Sequence, residues 1–157
     1  MERSRRVDLS GLQSGIRIDR EGSWSYRGSD IPRRVIIKLF YQNLHQDGAG
    51  RYFIEIGAQR CSVEVEDTAF AVWAVHRNQA DESVRLVLSD DSVEDLKPDT
   101  LRIGRDNVLY CRVKNSGFDA RFSRPSYYQL VEHFRHDPQR DAFYLPMKGE
   151  AYYIPEL

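Results

Sequence analysis

The sequence contains no apolar run near the ~20 residues that a membrane-spanning helix requires, so a membrane span is not expected. Its start, Met1 to Arg6, is polar and basic, with no apolar segment behind it, and does not read as a secretory signal. Cysteine is scarce: Cys61 and Cys111 each fall inside a strand-like stretch, which fits reduced, half-buried thiols in a cytoplasmic protein better than a disulfide. No phosphate-binding P-loop and no G-x-S-x-G elbow is present. Gly48-Ala49-Gly50 lacks the third glycine and the following helix of a dinucleotide fingerprint. Excess charge of one sign is missing too. A net charge of −1 argues against DNA or RNA as partner. What remains, 41% hydrophobic and 30% charged residues over 157 positions, is the composition of a soluble globular chain the size of one ordinary domain or two small ones.

Residues 1–15 carry little pattern and read as a loose arm. From Ile16 the chain turns regular. Ile16 and Ile18 alternate with polar residues, Arg20-Glu21-Gly22 makes a turn, and Trp24 and Tyr26 alternate on the returning strand. Asp30 is placed to cap a helix, with Pro32 in its first turn, and Val35, Ile36, Leu39, Phe40 and Leu44 follow at helical spacing to an end near His45. Tyr52 to Ile56 and Cys61 to Val65 are two more strands, completing a β-β-α-β-β unit.

The same order returns late in the chain. Leu109, Cys111 and Val113 alternate, Asn115-Ser116-Gly117 turns, and Phe118, Ala120 and Phe122 alternate again. Ser123 caps a helix with Pro125 two positions on, as Asp30 stands to Pro32. The helix ends before Asp137-Pro138, and Phe143 to Leu145 and Ala151 to Ile154 are strands. The spacing of cap, proline, helix and aromatic strand agrees twice, which reads as an internal duplication. Chance recurrence in an α+β chain is the competing explanation. Between the units, Ala69 to Val75, Val84 to Leu88 and Leu101 to Ile103 are further strands, and Ser89 to Asp99 an acidic loop. The fold expected is therefore α+β: repeats at 12–67 and 68–157, the second a curled antiparallel sheet or small barrel capped by a helix.

Charge is segregated. Residues 1–38 and 100–125 are each net +4, and 81–99 is net −5. Of the 23 basic residues 19 are arginine, the better fork for phosphate or carboxylate. GC-rich coding explains that ratio equally well, and patches of opposite sign can pair with each other. The sharpest feature is arginine at both helix openings: Arg33 and Arg34 after Pro32, and Arg124 before Pro125. A cation there faces the positive end of the helix dipole, and an anion between them reverses the sign of the interaction. This points to an anionic small molecule bound by Arg33 and Arg124, with Arg34 and Arg121 assisting and Trp24 or Tyr127 as stacking surface. Neutralisation by Asp30, side chains turned to water, and aromatics serving only as core are the plainer alternatives. His133 and His136 lie three apart, but nothing completes a metal site around them, and no cofactor is named.

Three stretches carry a family resemblance: Ile18-Asp19-Arg20-Glu21-Gly22-Ser23-Trp24-Ser25-Tyr26-Arg27-Gly28 with Ile31-Pro32-Arg33 and the helix ending Leu39-Phe40; Val63-Glu64-Val65-Glu66-Asp67-Thr68-Ala69-Phe70; and Gly117-Phe118-Asp119-Ala120-Arg121-Phe122-Ser123-Arg124-Pro125-Ser126-Tyr127-Tyr128-Gln129-Leu130. Over about residues 15–135 the chain resembles the bacterial DUF1285 proteins, departing at Gly57 to Arg60 and after His136. The resemblance implies a duplicated α+β core and a C-terminal part similar to pleckstrin-homology folds. It also implies a site for a nucleotide-like ligand between the two parts, in signalling. No activity comes with it. The function expected is thus a ligand-binding module for an anionic, nucleotide-like molecule. The alternatives are an adaptor whose partner is a protein, held through an edge strand or the 89–99 loop, and, ranked last, a phosphoester hydrolase using Asp19, Asp119 or a histidine.

Overall fold

The computed structural model describes residues 15–156. Most of the arm expected over 1–15, with Arg3, Arg5 and Arg6, lies outside the described residues. The chain divides into two compact units. The first holds Ser23–Glu66 and the residues up to Asp19; the second holds Arg20–Gly22 and Asp67–Leu157.

In the first unit the strands are β1 (Ile16–Ile18), β2 (Trp24–Tyr26), β3 (Ser29–Asp30), β4 (Leu44–Gln46), β5 (Tyr52–Ile56) and β6 (Gln59–Val65), with α1 (Arg34–Gln42) between β3 and β4. They form one sheet in the order β3-β2-β1-β6-β5-β4. Every pairing is antiparallel except the central one, where β1 runs parallel to β6 with Ile16 beside Val63 and Ile18 beside Val65. With the first and last strands parallel, β3 and β4 run the same way, so the chain between them must return the length of the sheet. α1 makes that return from one edge to the other. It buries Ile37, Phe40 and Tyr41, while Ile16, Ile18, Trp24, Leu44, Ile54, Cys61 and Val63 are the buried residues of the strands.

α1 starts later than the Asp30 cap predicts. Asp30 is a strand residue paired with Ser25, and the Ile31 N–H continues that hairpin by donating to the Trp24 carbonyl at 3.0 Å. A residue before proline favours extended backbone, so Pro32 holds Ile31 out of the helix and the cap position passes to Arg33. The far end is also short of His45: the Asn43 Nδ2 donates to the Leu39 carbonyl at 2.8 Å and closes the helix.

The second unit contains β7 (Phe70–Arg77), β8 (Val84–Leu88), β9 (Val93–Asp95), β10 (Arg102–Ile103), β11 (Leu109–Val113) and β12 (Phe118–Phe122). α2 (Arg124–Val131), β13 (Arg135–Asp137), β14 (Ala142–Met147) and β15 (Glu150–Tyr153) follow. Six strands form a sheet in the order β10-β11-β12-β7-β8-β9, and β13-β14-β15 form a separate sheet of three. Read outward from the centre, the six repeat the permutation of the first unit, again with first strand parallel to last: β7 lies beside β12, with Phe70 paired to Ala120. Each unit is α+β with one mixed six-stranded sheet and one α-helix, the arrangement a duplicated unit produces.

The frame of the repeat differs from the expected one. The late β-β-α-β-β order is present, but β11 and β12 complete the six-stranded sheet while the strands after α2 form their own. The matching segments are therefore β1 to β6 and β7 to β12, with the helix inside the first set and after the second. The expected all-antiparallel sheet is mixed, because each unit brings its first and last strands together.

Ser123 caps α2 as predicted: its Oγ accepts from the Ser126 N–H at 3.3 Å, and Pro125 lies in the first turn. α2 also completes β7. The ladder of β12 on β7 stops at Val72; beyond it the buried Ser126 hydroxyl donates to the Val72 carbonyl at 2.8 Å, and the Gln129 Oε1 accepts from the Val75 N–H at 2.9 Å. Within this unit Gly22 adopts φ +86°, and a Cβ built on it falls 2.9 Å from the Cβ atoms of both Ala71 and Ser89. Buried Ser89 accepts from the Ala71 N–H through its hydroxyl at 3.0 Å.

Candidate functional site

The six residues expected to bind a ligand have different fates. Arg33, Arg34 and Trp24 belong to the first unit, and Arg121, Arg124 and Tyr127 to the second. Trp24 is 2% exposed and packs on Phe40 and Tyr41, with ring centroids 5.8 and 4.9 Å away. Its faces are spent on the core, which corrects its reading as a stacking surface. Arg121 donates to Asp67 at 2.9 Å, so its guanidinium already serves a carboxylate. Arg124 is exposed at the start of α2, but Ser123 occupies the cap there. Half-buried Tyr127 meets the Tyr128 ring edge-on at 5.5 Å.

The start of α1 is different. Arg33 stands in the capping position, is exposed, and makes no side-chain cap bond; the first turn contains no acidic residue. A guanidinium has donors only, so the Arg33 side chain cannot accept from the opening amide groups as a capping side chain does; its carbonyl accepts from the Ile36 N–H at 3.1 Å. Val35 beside it is 76% exposed, which leaves this end open to water. The sequence placed Asp30 at this cap; its pairing in β3 leaves the helix end without a neutralising carboxylate in its first turn.

Much of the basic excess over 100–125 is consumed on one sheet. Asp119 of β12 accepts from Arg102 at 2.6 Å and pairs with Arg112 at 3.0 Å, while the Tyr110 hydroxyl donates to Asp67 at 2.7 Å. Lys114 pairs with Asp90 at 2.7 Å, tying the acidic 81–99 stretch to the basic one. Burial acts to raise the Asp119 carboxyl, but hydrogen bonds from Arg112 and Arg102 outweigh it and hold the group below its ordinary value. Burial and the bond to Asp67 push Tyr110 up to about 12. A carboxylate with a depressed folded-state pKa stabilises the fold above its unfolded pKa of about 3.9, and that contribution is lost as pH falls through the folded value. In urea titrations between pH 6 and pH 2.5, Asp119→Asn therefore shows a shallower loss of stability below pH 4 than wild type. Parallel curves would exclude Asp119 as a source of acid sensitivity.

A concave feature escaped sequence reasoning. The second unit has a cleft of about 460 Å³ lined by His76, Arg77, Arg85 and Lys148 among other polar residues. They come from the end of β7, from β8 and from the β14–β15 turn, so no linear spacing marks them. Among the described residues no group of three or more His, Cys, Asp or Glu side chains could hold a metal ion. His136 pairs with Asp141 at 3.0 Å, and burial together with Arg77 lowers the His133 pKa. No helix among the described residues is long and apolar enough to cross a membrane.

Residues 10–68, which include β1 to β6 and the open start of α1, match the family model of the DUF1285 N-terminal domain, a domain of unknown function. That stretch is similar to the DUF1285 N-terminal domain. Two crystal structures of DUF1285 family proteins are similar to this chain in fold. The protein from Silicibacter pomeroyi DSS-3 superposes with a TM-score of 0.72 at 19% identity, over 90% of this chain and 78% of that one. The protein from Shewanella baltica OS155 gives 0.64 at 23% identity, over 77% of this chain and 93% of that one. At these identities the likeness is one of fold. No curated protein matches the sequence. The resemblance to DUF1285 read from the residues thus holds.

Proposed function

We propose that this chain is a binding module for an anionic, phosphate-bearing small molecule of nucleotide-like kind, acting in signalling, with the start of α1 as its anion seat. One observation carries the reading: Arg33 occupies the helix cap, exposed, where a capping acceptor normally stands, and no carboxylate in the first turn offsets it. An anion there meets both the positive end of the helix dipole and a guanidinium fork. Arg34 adjoins it, and exposed Arg124 is the corresponding cation at the start of α2.

A thermal-shift panel of nucleotides and inorganic pyrophosphate tests this. A ligand at 100 times its Kd stabilises by about 2.7 kcal/mol, and Arg33→Ala, a surface change expected to cost within about 0.5 kcal/mol by itself, removes that gain. If no anion stabilises the protein, or Arg33→Ala responds as wild type does, the reading fails.

An adaptor role is the second reading, favoured by one feature. β9 is an edge strand of its sheet, and Val93 on it is 52% exposed, the kind of edge to which a partner strand adds. A stoichiometric protein partner lost on Val93→Lys, in a chain that binds no small molecule, favours this role. The pleckstrin-homology-like description of the C-terminal part draws support from one contact. Glu94 of β9 accepts from the Lys114 N–H, just beyond β11, at 3.2 Å, although β9 and β11 are not neighbours in the sheet.

A further inference from the structure

The cleft of the second unit is built independently of the α1 start. Its floor includes a row across three strands: His76 of β7 is paired with Arg85 of β8, and Arg85 with Asp95 of β9. All three are exposed side chains. One wall is the 78–83 turn, made rigid by its own bonds. Asn78 accepts from the Ala80 N–H at 2.9 Å, and Asp81 accepts from the Ser83 N–H at 2.9 Å and from its hydroxyl at 2.6 Å. The opposite wall is the β14–β15 turn, where the Lys148 N–H donates to the Glu82 carboxylate at 2.9 Å and Arg77 donates to the Pro146 carbonyl at 3.0 Å. Glu82 thus ties the two turns to each other.

The chemistry of the lining selects a ligand class. At about 460 Å³ the cleft is within the range of small-molecule sites. Such sites are mostly apolar; this one is lined by charged and polar residues alone. A nucleobase finds no Trp, Tyr or Phe face, only the His76 ring and guanidinium planes, and an acyl chain finds nothing to exclude water with. Arg77, Arg85 and Lys148 supply the cations of the lining and Asp81 and Asp95 its carboxylates, with Glu82 beside them facing Arg77 at 4.0 Å. Asp95 already faces Arg85 at 3.5 Å, and Asp81 is held ionised by Ser83, its pKa lowered first by those hydrogen bonds and also by Lys148. Guanidinium and ammonium groups suit a phosphate. The Asp81, Asp95 and Asn78 oxygens suit hydroxyl donors. We infer that this cleft binds a phosphorylated polyol, a sugar phosphate, with Arg85 and Lys148 on the phosphate and Asn78, Asp81 and Asp95 on the hydroxyls.

Isothermal titration of the full chain with glucose 6-phosphate, glucose, inorganic phosphate and AMP tests this. Arg85→Ala/Lys148→Ala and Arg33→Ala are compared with wild type. Arg85 is 66% exposed, so its loss leaves the fold intact, and the melting midpoint of the double variant verifies that; Arg85→Gln/Lys148→Gln repeats the test with similar side-chain bulk. The result expected is saturable binding of glucose 6-phosphate, in Arg33→Ala at least tenfold tighter than glucose, phosphate or AMP. Affinity falls at least tenfold in both double variants and is unchanged in Arg33→Ala. Absence of saturable binding, AMP or phosphate bound by Arg33→Ala as tightly as the sugar phosphate, or affinity indifferent to the double substitutions overturns the assignment. Because Arg33 serves as the reference for the α1 seat, failure of one site is distinguishable from failure of the other.

Discussion

Trp24→Ala lowers the unfolding free energy by about 3–5 kcal/mol, the usual cost of removing a buried aromatic side chain. For a chain of this length that is a fall in melting midpoint of roughly 10 °C or more. Trp24 is 2% exposed, and Phe40 and Tyr41 of α1 lose their packing partner with it. Its indole Nε1 is buried and has no hydrogen-bond partner among the described residues, so the ring is held by shape and apolar contact. Trp24→Phe, which discards that unpartnered N–H and keeps a ring, therefore costs much less, about 1–1.5 kcal/mol. Calorimetry of the three proteins, with and without a stabilising anion, checks both statements. The destabilisation is equal in the two conditions. A Trp24→Ala protein that melts like wild type but no longer responds to the anion restores the indole as a ligand surface and removes it from the core.

Gly22→Ala is the second large effect, about 3 kcal/mol of lost stability. Two costs add: roughly 1–2 kcal/mol for a side chain at left-handed φ, and roughly 1–3 kcal/mol for forcing a methyl into filled space. The space is filled by Ala71 and Ser89, each 2.9 Å from the added Cβ, and Ser89 cannot retreat without disturbing its bond to the Ala71 N–H. Gly28 separates the two costs. Its φ is +84°, nearly that of Gly22 at +86°, but a Cβ there meets nothing within 4 Å. Gly28→Ala pays only the conformational part, about 1 kcal/mol. Denaturant midpoints for the pair measure the difference. Equal losses at the two positions would mean that the space around Gly22 is soft and that φ alone decides.

How much of this was legible in the residues depends on what held each element. β8, β11 and β12 fall where alternation placed them, because one face of each is buried and the period of two is clean. The α2 cap was legible because Ser123 acts on a neighbour three residues away. β3, β4, β9 and β13 were not, since each is two or three residues long, mostly exposed, and exists through its partner rather than its own pattern. β9 even lies in the acidic stretch read as loop. Trp24 shows a different limit: alternation marked its strand but not how deep the indole sits. Arginines at the helix openings were visible as residues, whereas their partners were not. Asp67 lies 54 positions from Arg121, and only folding identifies that pair. The cleft walls are drawn from segments joined by contacts 66 and 69 positions apart and could not be assembled from spacing.

The parallel centre of each sheet has a consequence for how the protein is made. β1 and β6 enclose nearly the whole first unit between them, and β7 and β12 the whole second sheet. On the ribosome each sheet must therefore wait as a three-stranded half and an unjoined pair of strands until its sixth strand emerges, when the seam can close at the entropic cost of a long loop. Cotranslational acquisition of order should then occur in two late steps, one when Val65 clears the exit tunnel and one when Phe122 does.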